Sequence, residues 1–160
     1  MTVTIAFKHE LSEKFLTRMK QKLIQKWAKS KYYHVEIIIE NKWVEADNGI
    51  GVIEHDLRPL SKKYDYVEVS VPDCAICHKN VKNFISNQMG ARYDWTGIYF
   101  SQVIKLGVNK EDNWFCSELV AKILQIYNIE PFLYVSPESL SPEGVYQLLV
   151  KKCNSRLVEI

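Results

Sequence analysis

Asn113-Trp114-Phe115-Cys116-Ser117-Glu118-Leu119-Val120-Ala121-Lys122-Ile123-Leu124 opens polar and then turns apolar at helical spacing. Phe115, Leu119, Val120, Ile123 and Leu124 share one face of a 3.6-residue period, which predicts a helix aimed at a core. Asp112 or Asn113 can cap its start by accepting a backbone N–H. Cys116 then stands in the first turn, where the helix dipole and unused N–H groups favour a thiolate. A thiolate is a strong nucleophile. The same cysteine also suits a structural role, because free cysteine is among the most buried residue types. A histidine and an acid elsewhere in the chain bear on the choice between the two.

Downstream of this helix, which is expected to reach about Tyr127, residues 128–135 read as irregular around Pro131. Ser136-Pro137-Glu138 and Ser141-Pro142-Glu143 each place a capping serine before a proline at the first helical position. The second predicts a helix to about Lys151. Upstream, Asp94–Ile104 reads as helix and Gly107–Asp112 as loop. Pro72-Asp73 starts a helix that runs to about Met89, with Gly90 as its stop signal. Tyr64–Val71 alternates as a strand. His34–Glu40 is β-branched and reads as another, followed by a turn at Asn41-Lys42, a strand at Trp43–Ala46 and a further strand at Val52–His55. Arg58-Pro59-Leu60 reads as loop, and Thr2–Phe7 as a short strand. Leu11, Phe15, Met19, Leu23 and Trp27, with Leu16 and Ile24 beside them, form one apolar stripe on a helix from about residue 11 to 29. The sum is an α+β fold: an antiparallel sheet of four or more strands packed with helices from both ends of the chain. At 160 residues, with 47% hydrophobic and 25% charged residues, a single domain over residues 1–160 is expected.

Net charge is +2, but residues 1–31 hold eight Lys/Arg against Glu10 and Glu13, or +6, and the remainder carries −4. Such a basic segment either solvates its helix face or meets a polyanion or membrane surface through residues 11–31. No specific nucleic-acid binding is predicted. No apolar run approaches the ~18 residues a spanning helix needs, and no signal peptide opens the chain. A cytoplasmic location is therefore expected, with Cys74, Cys77, Cys116 and Cys153 reduced.

His34 and Glu36 share a strand face by the period of two. Glu45 returns on the partner strand, close enough across the ladder to bond one imidazole nitrogen and leave the other for a thiol. Cys74-Ala75-Ile76-Cys77-His78 has the spacing of a haem-attachment or partial zinc motif. Without an export signal, a singled-out axial partner or a fourth ligand, neither group is expected, and no metal or other cofactor is predicted. The six glycines form no phosphate loop.

Together, His34-Val35-Glu36-Ile37 with Trp43-Val44-Glu45-Ala46, then Ala91-Arg92-Tyr93-Asp94-Trp95-Thr96-Gly97, then Trp114-Phe115-Cys116-Ser117-Glu118-Leu119-Val120, resemble the NlpC-type papain-like superfamily. The histidine preceding the cysteine is the order of its circularly permuted branch. That branch includes YiiX-like bacterial, phage and poxviral proteins and, more distantly, lecithin:retinol acyltransferase relatives. The resemblance covers roughly residues 25–145. It implies a permuted papain-like fold and a cysteine peptidase or amidase, with Cys116 as nucleophile, His34 as general base and Glu45 as the third, orienting residue. Many relatives have glycine where Glu36 stands and some phage members have glutamate, so Glu36 is the alternative orienting acid. Tyr93 and Trp114 are expected to line the cleft. The implied substrate is a peptide, amide or acyl compound. A lipid acyltransferase or thioesterase, or a non-catalytic binding module using the basic helix, are the competing expectations.

Overall fold

A computed structural model describes residues 1–47, 50–93 and 113–159. The side chains of Trp27, Ala28, Arg92, Tyr93 and Asn113 lie outside the described residues, as do the helix expected at Asp94–Ile104 and the loop expected at Gly107–Asp112. The fold is α+β. Strands β1 Thr2–Lys8, β2 His34–Ile39, β3 Lys42–Asp47, β4 Gly51–Asp56 and β5 Tyr64–Ser70 form an antiparallel sheet that β8, Ser155–Val158, completes. The order across its six strands is β4-β3-β2-β1-β5-β8. A separate short parallel pair joins β6, Arg92–Tyr93, to β7, Asn113–Trp114. The helices are α1 Phe15–Ala28, α2 Ala75–Gln88, α3 Cys116–Ile126, α4 Glu130–Leu133 and α5 Pro142–Lys152.

Strand alternation gives the sheet two different faces. Val3, Ile5, Phe7, Val35, Ile37, Val44, Val67 and Val69 point to one side and pack against Val81 and Ile85 of α2, Leu119, Val120, Ile123 and Leu124 of α3, and Val145 and Leu149 of α5. The apolar face read from Phe115 to Leu124 is thus buried as expected, and each such side chain contributes about 1.5–3 kcal/mol. The opposite side carries a smaller cluster of Ala6, Trp43, Tyr64 and Tyr66. β1 lies between β2 and β5 and is buried on both faces, with Ile5, Ala6 and Phe7 fully enclosed. A weakly alternating N-terminal strand is therefore central to the sheet.

Three local expectations are corrected. The β2–β3 turn is Glu40-Asn41, both with positive φ (47° and 66°), as a two-residue hairpin loop requires, and not Asn41-Lys42. The pairing moves by two residues, so every side chain keeps its face. Helix α1 begins at Phe15, after Ser12 and Gln21 have tied the preceding turn, and not at residue 11. β8 was not expected at all: four residues with a half-exposed pattern give no periodic signal. Ser141 does cap α5, accepting the Gly144 N–H at 3.1 Å, with Pro142 at the first helical position.

Candidate active site

Cys116 is the first residue of α3. The N-cap is Phe115, not Asp112 or Asn113: Asn113 belongs to β7, and Asp112 lies outside the described residues. Glu118 reaches back to accept the Phe115 N–H at 3.4 Å, half of a capping box. Ser117, fully buried, donates its hydroxyl to the Leu140 carbonyl at 2.5 Å and pins the helix start to the segment before α5. Cys116 has no exposed surface. Its N–H is among those a helix start leaves without an intrahelical acceptor.

His34 is the first residue of β2. Alternation places it with Glu36 on the face away from α3, but its position at the end of the strand puts it at the rim of the sheet. There it stands close enough to Cys116 for the thiol to raise its pKa. Its Nε2 lies 2.8 Å from Glu45 Oε2, which leaves Nδ1 as the nitrogen for the thiol. Burial alone would lower the His34 pKa, but Cys116, then Glu45 and Glu36, raise it well above the ordinary imidazole value. Burial likewise opposes ionisation of Glu45, yet His34, Arg58 and His55 hold its carboxyl below the usual range.

The two glutamates divide the network between them. The Ile37↔Val44 pairing, continued one step, sets Glu45 across from Glu36. Glu36, fully buried, accepts from Arg58 and from the Tyr64 hydroxyl at 2.8 Å, and its Oε1 stays 3.7 Å from His34 Nε2. Glu45 Oε1 also lies 3.1 Å from His55 Nε2 and 3.6 Å from Arg58. Arg58 rests on the Trp43 ring at 4.3 Å. Glu45 is therefore the acid in contact with His34, and Glu36 anchors Arg58. Sequence reasoning missed His55 and Arg58. The register Trp43↔His55 would have placed His55 beside Glu45, whereas nothing in Arg58-Pro59-Leu60 marks which surface the loop covers.

Trp114 sits against α2. Its indole N–H donates to Gln88 at 2.7 Å and its ring meets Phe84 edge-on, fastening β7 to α2. The Tyr93 backbone pairs with Trp114, and its side chain lies outside the described residues. The cleft beside His34 and Glu45 has a volume of about 350 Å³ and is walled by Lys8, Tyr33 and the α1 residues Leu16, Lys20 and Ile24.

His34, Glu36 and Glu45 bring three ligand atoms within 4.8 Å of one another. Arg58 already pairs with both carboxylates, so a divalent ion would compete with it for them. Cys74 and Cys77 are joined in a disulfide, contrary to the four reduced thiols expected. Cys74 is the N-cap of α2 and Cys77 its third residue, and that turn brings their Cα atoms to 5.2 Å, within bridging distance. The bridge takes both sulfurs out of metal ligation, and the adjoining His78 ring contacts the Tyr127 hydroxyl at 3.3 Å.

No protein-family model matches the chain, and no curated protein matches it by sequence. Among the described residues, no helix is long and apolar enough to cross a membrane.

Proposed function

We propose that the protein is a cysteine hydrolase of permuted papain-like fold that cleaves an amide-type bond through Cys116. The observation that carries this is His34, bonded to Glu45 at 2.8 Å and within electrostatic reach of Cys116 at a helix start. Nδ1 of His34 takes the thiol proton as Sγ bonds to the substrate carbonyl carbon. The same proton goes to the leaving nitrogen or oxygen as its bond to carbon breaks. The Cys116 N–H stabilises the oxyanion, and water then releases the acyl group. Glu45 fixes the His34 tautomer and supports the imidazolium.

An acyl-ester or thioester substrate is the second reading. It is supported by the α1 wall of the cleft, where Leu16 and Ile24 stand beside Lys20.

A small acyl probe suits so enclosed a thiol. In p-nitrophenyl acetate hydrolysis, Cys116→Ser and His34→Ala should each lower the rate at least ~100-fold, and Glu45→Gln less. Unchanged turnover in Cys116→Ser would remove the proposal.

A further inference from the structure

Helix α1 is inverted relative to an ordinary surface helix. Its inward side is formed by Gln21, Ile24 and Gln25, with Ile24 only 8% exposed and Gln25 donating its side-chain amide to the His9 carbonyl. Its outward side carries Phe15, Leu16, Met19 and Leu23, which are 73%, 73%, 50% and 59% exposed. At 100° per residue these four fall within one ~100° arc, opposite the buried side. Arg18 and Lys22 flank the arc on one edge and Lys20 on the other, Lys26 stands within it at the C-terminal turn, and the helix contains no acid. Of the apolar stripe read from the sequence, Phe15, Leu16, Met19 and Leu23 thus face solvent, and Ile24 faces the core.

We propose that α1 is an interfacial helix that docks the protein on an anionic lipid bilayer. An apolar arc bordered by cations and carried on a polar-backed helix is the arrangement that lies in a headgroup layer. The apolar side chains enter the acyl boundary while the flanking cations meet lipid phosphates and carboxylates. A nucleic acid would satisfy the lysines and leave Phe15 and Leu23 in water. A second copy of the helix would bury the stripe only by bringing two sets of like charges together. The surface does not depend on the chemistry at Cys116, so either proposal can fail alone.

The test is cosedimentation of the Cys116→Ser protein with vesicles of phosphatidylcholine alone or with one third phosphatidylserine. Binding should appear on the serine-containing vesicles and weaken as salt is raised. Lys22→Glu and Lys26→Glu should each weaken it at least ~5-fold. Phe15→Ser with Leu23→Ser should weaken it at least ~10-fold, without loss of helical circular dichroism because both side chains are exposed. Absence of binding to anionic vesicles would overturn the proposal. Vesicle binding that survives the Phe15→Ser and Leu23→Ser changes would also overturn it, pointing to a general polyanion surface. So would a dimer in solution that those changes convert to monomer, pointing to a second copy.

Discussion

His34 bonds to the Glu45 carboxylate and feels the Cys116 thiol, and its raised pKa sets how stability should depend on pH. A group whose folded pKa lies above its unfolded value stabilises the fold fully below the unfolded value, and that contribution fades as pH rises through the folded one. The stability difference between the protein and its His34→Ala variant should therefore be largest below about pH 6.5 and shrink on the alkaline side. Glu45 behaves oppositely: its depressed pKa gives stability present above the ordinary glutamate range and lost as pH falls through the folded value. Urea titrations across pH would show both limbs, and a flat His34→Ala difference would contradict the assignment. Thiol reactivity gives a second measure. Burial pushes the Cys153 thiol up to about 11, so its alkylation near neutrality should be slow and indifferent to His34→Ala. Alkylation of Cys116 should fall in that variant, read peptide by peptide by mass spectrometry. Arg58 offers a third. Arg58→Met leaves Glu36 buried without its cation and should cost about 2–3 kcal/mol, at the low end because Arg58 is itself partly exposed. Adding Glu36→Gln should recover part of that loss in a double-mutant cycle.

Elements of the fold differ in how far their residues announce them. The β-branched run His34–Ile39 and the return Trp43–Ala46 mark a hairpin, and parity alone puts His34, Glu36 and Glu45 on one face. Cys116 at a helix start is equally readable, because Phe115 to Leu124 has a single period. The choice of Glu45 over Glu36 comes from the family resemblance and not from the strand pattern, since it turns on Arg58 and Tyr64 claiming Glu36 from a loop and from a strand beyond β1. The orientation of α1 is not readable: an amphipathic pattern states that a stripe exists but not whether it faces core or solvent. The disulfide was missed because the cysteine pair was judged by compartment and not by the geometry of an N-cap and its third helical residue. Closing so short a loop constrains the unfolded chain little, so reducing Cys74–Cys77 should lower stability by at most about 2 kcal/mol, measured by melts with and without a phosphine reductant. Leu119→Ala, at the fully buried centre of α3, should cost more, about 2–5 kcal/mol.

At the scale of the molecule the sheet has two different edges. β4 ends one side with Glu54, His55 and Asp56, polar residues that discourage pairing with another chain. β8 closes the other by covering β5. Deleting residues 154–160 uncovers the β5 edge and should produce self-association, visible by light scattering coupled to size exclusion. The central place of β1 has a consequence for how the protein is made. Strands β1 to β5 all precede residue 71, so a ribosome delivers most of the sheet, with His34, Glu45 and Arg58 on it, before the Cys116 helix has been synthesised. For that interval the Val3, Ile5 and Val35 face has no helices over it and is a surface for a chaperone. His34 and Glu45 are in place on the nascent chain while Cys116 does not yet exist, so the proposed nucleophile reaches its proposed base only when the helix that carries it closes the core.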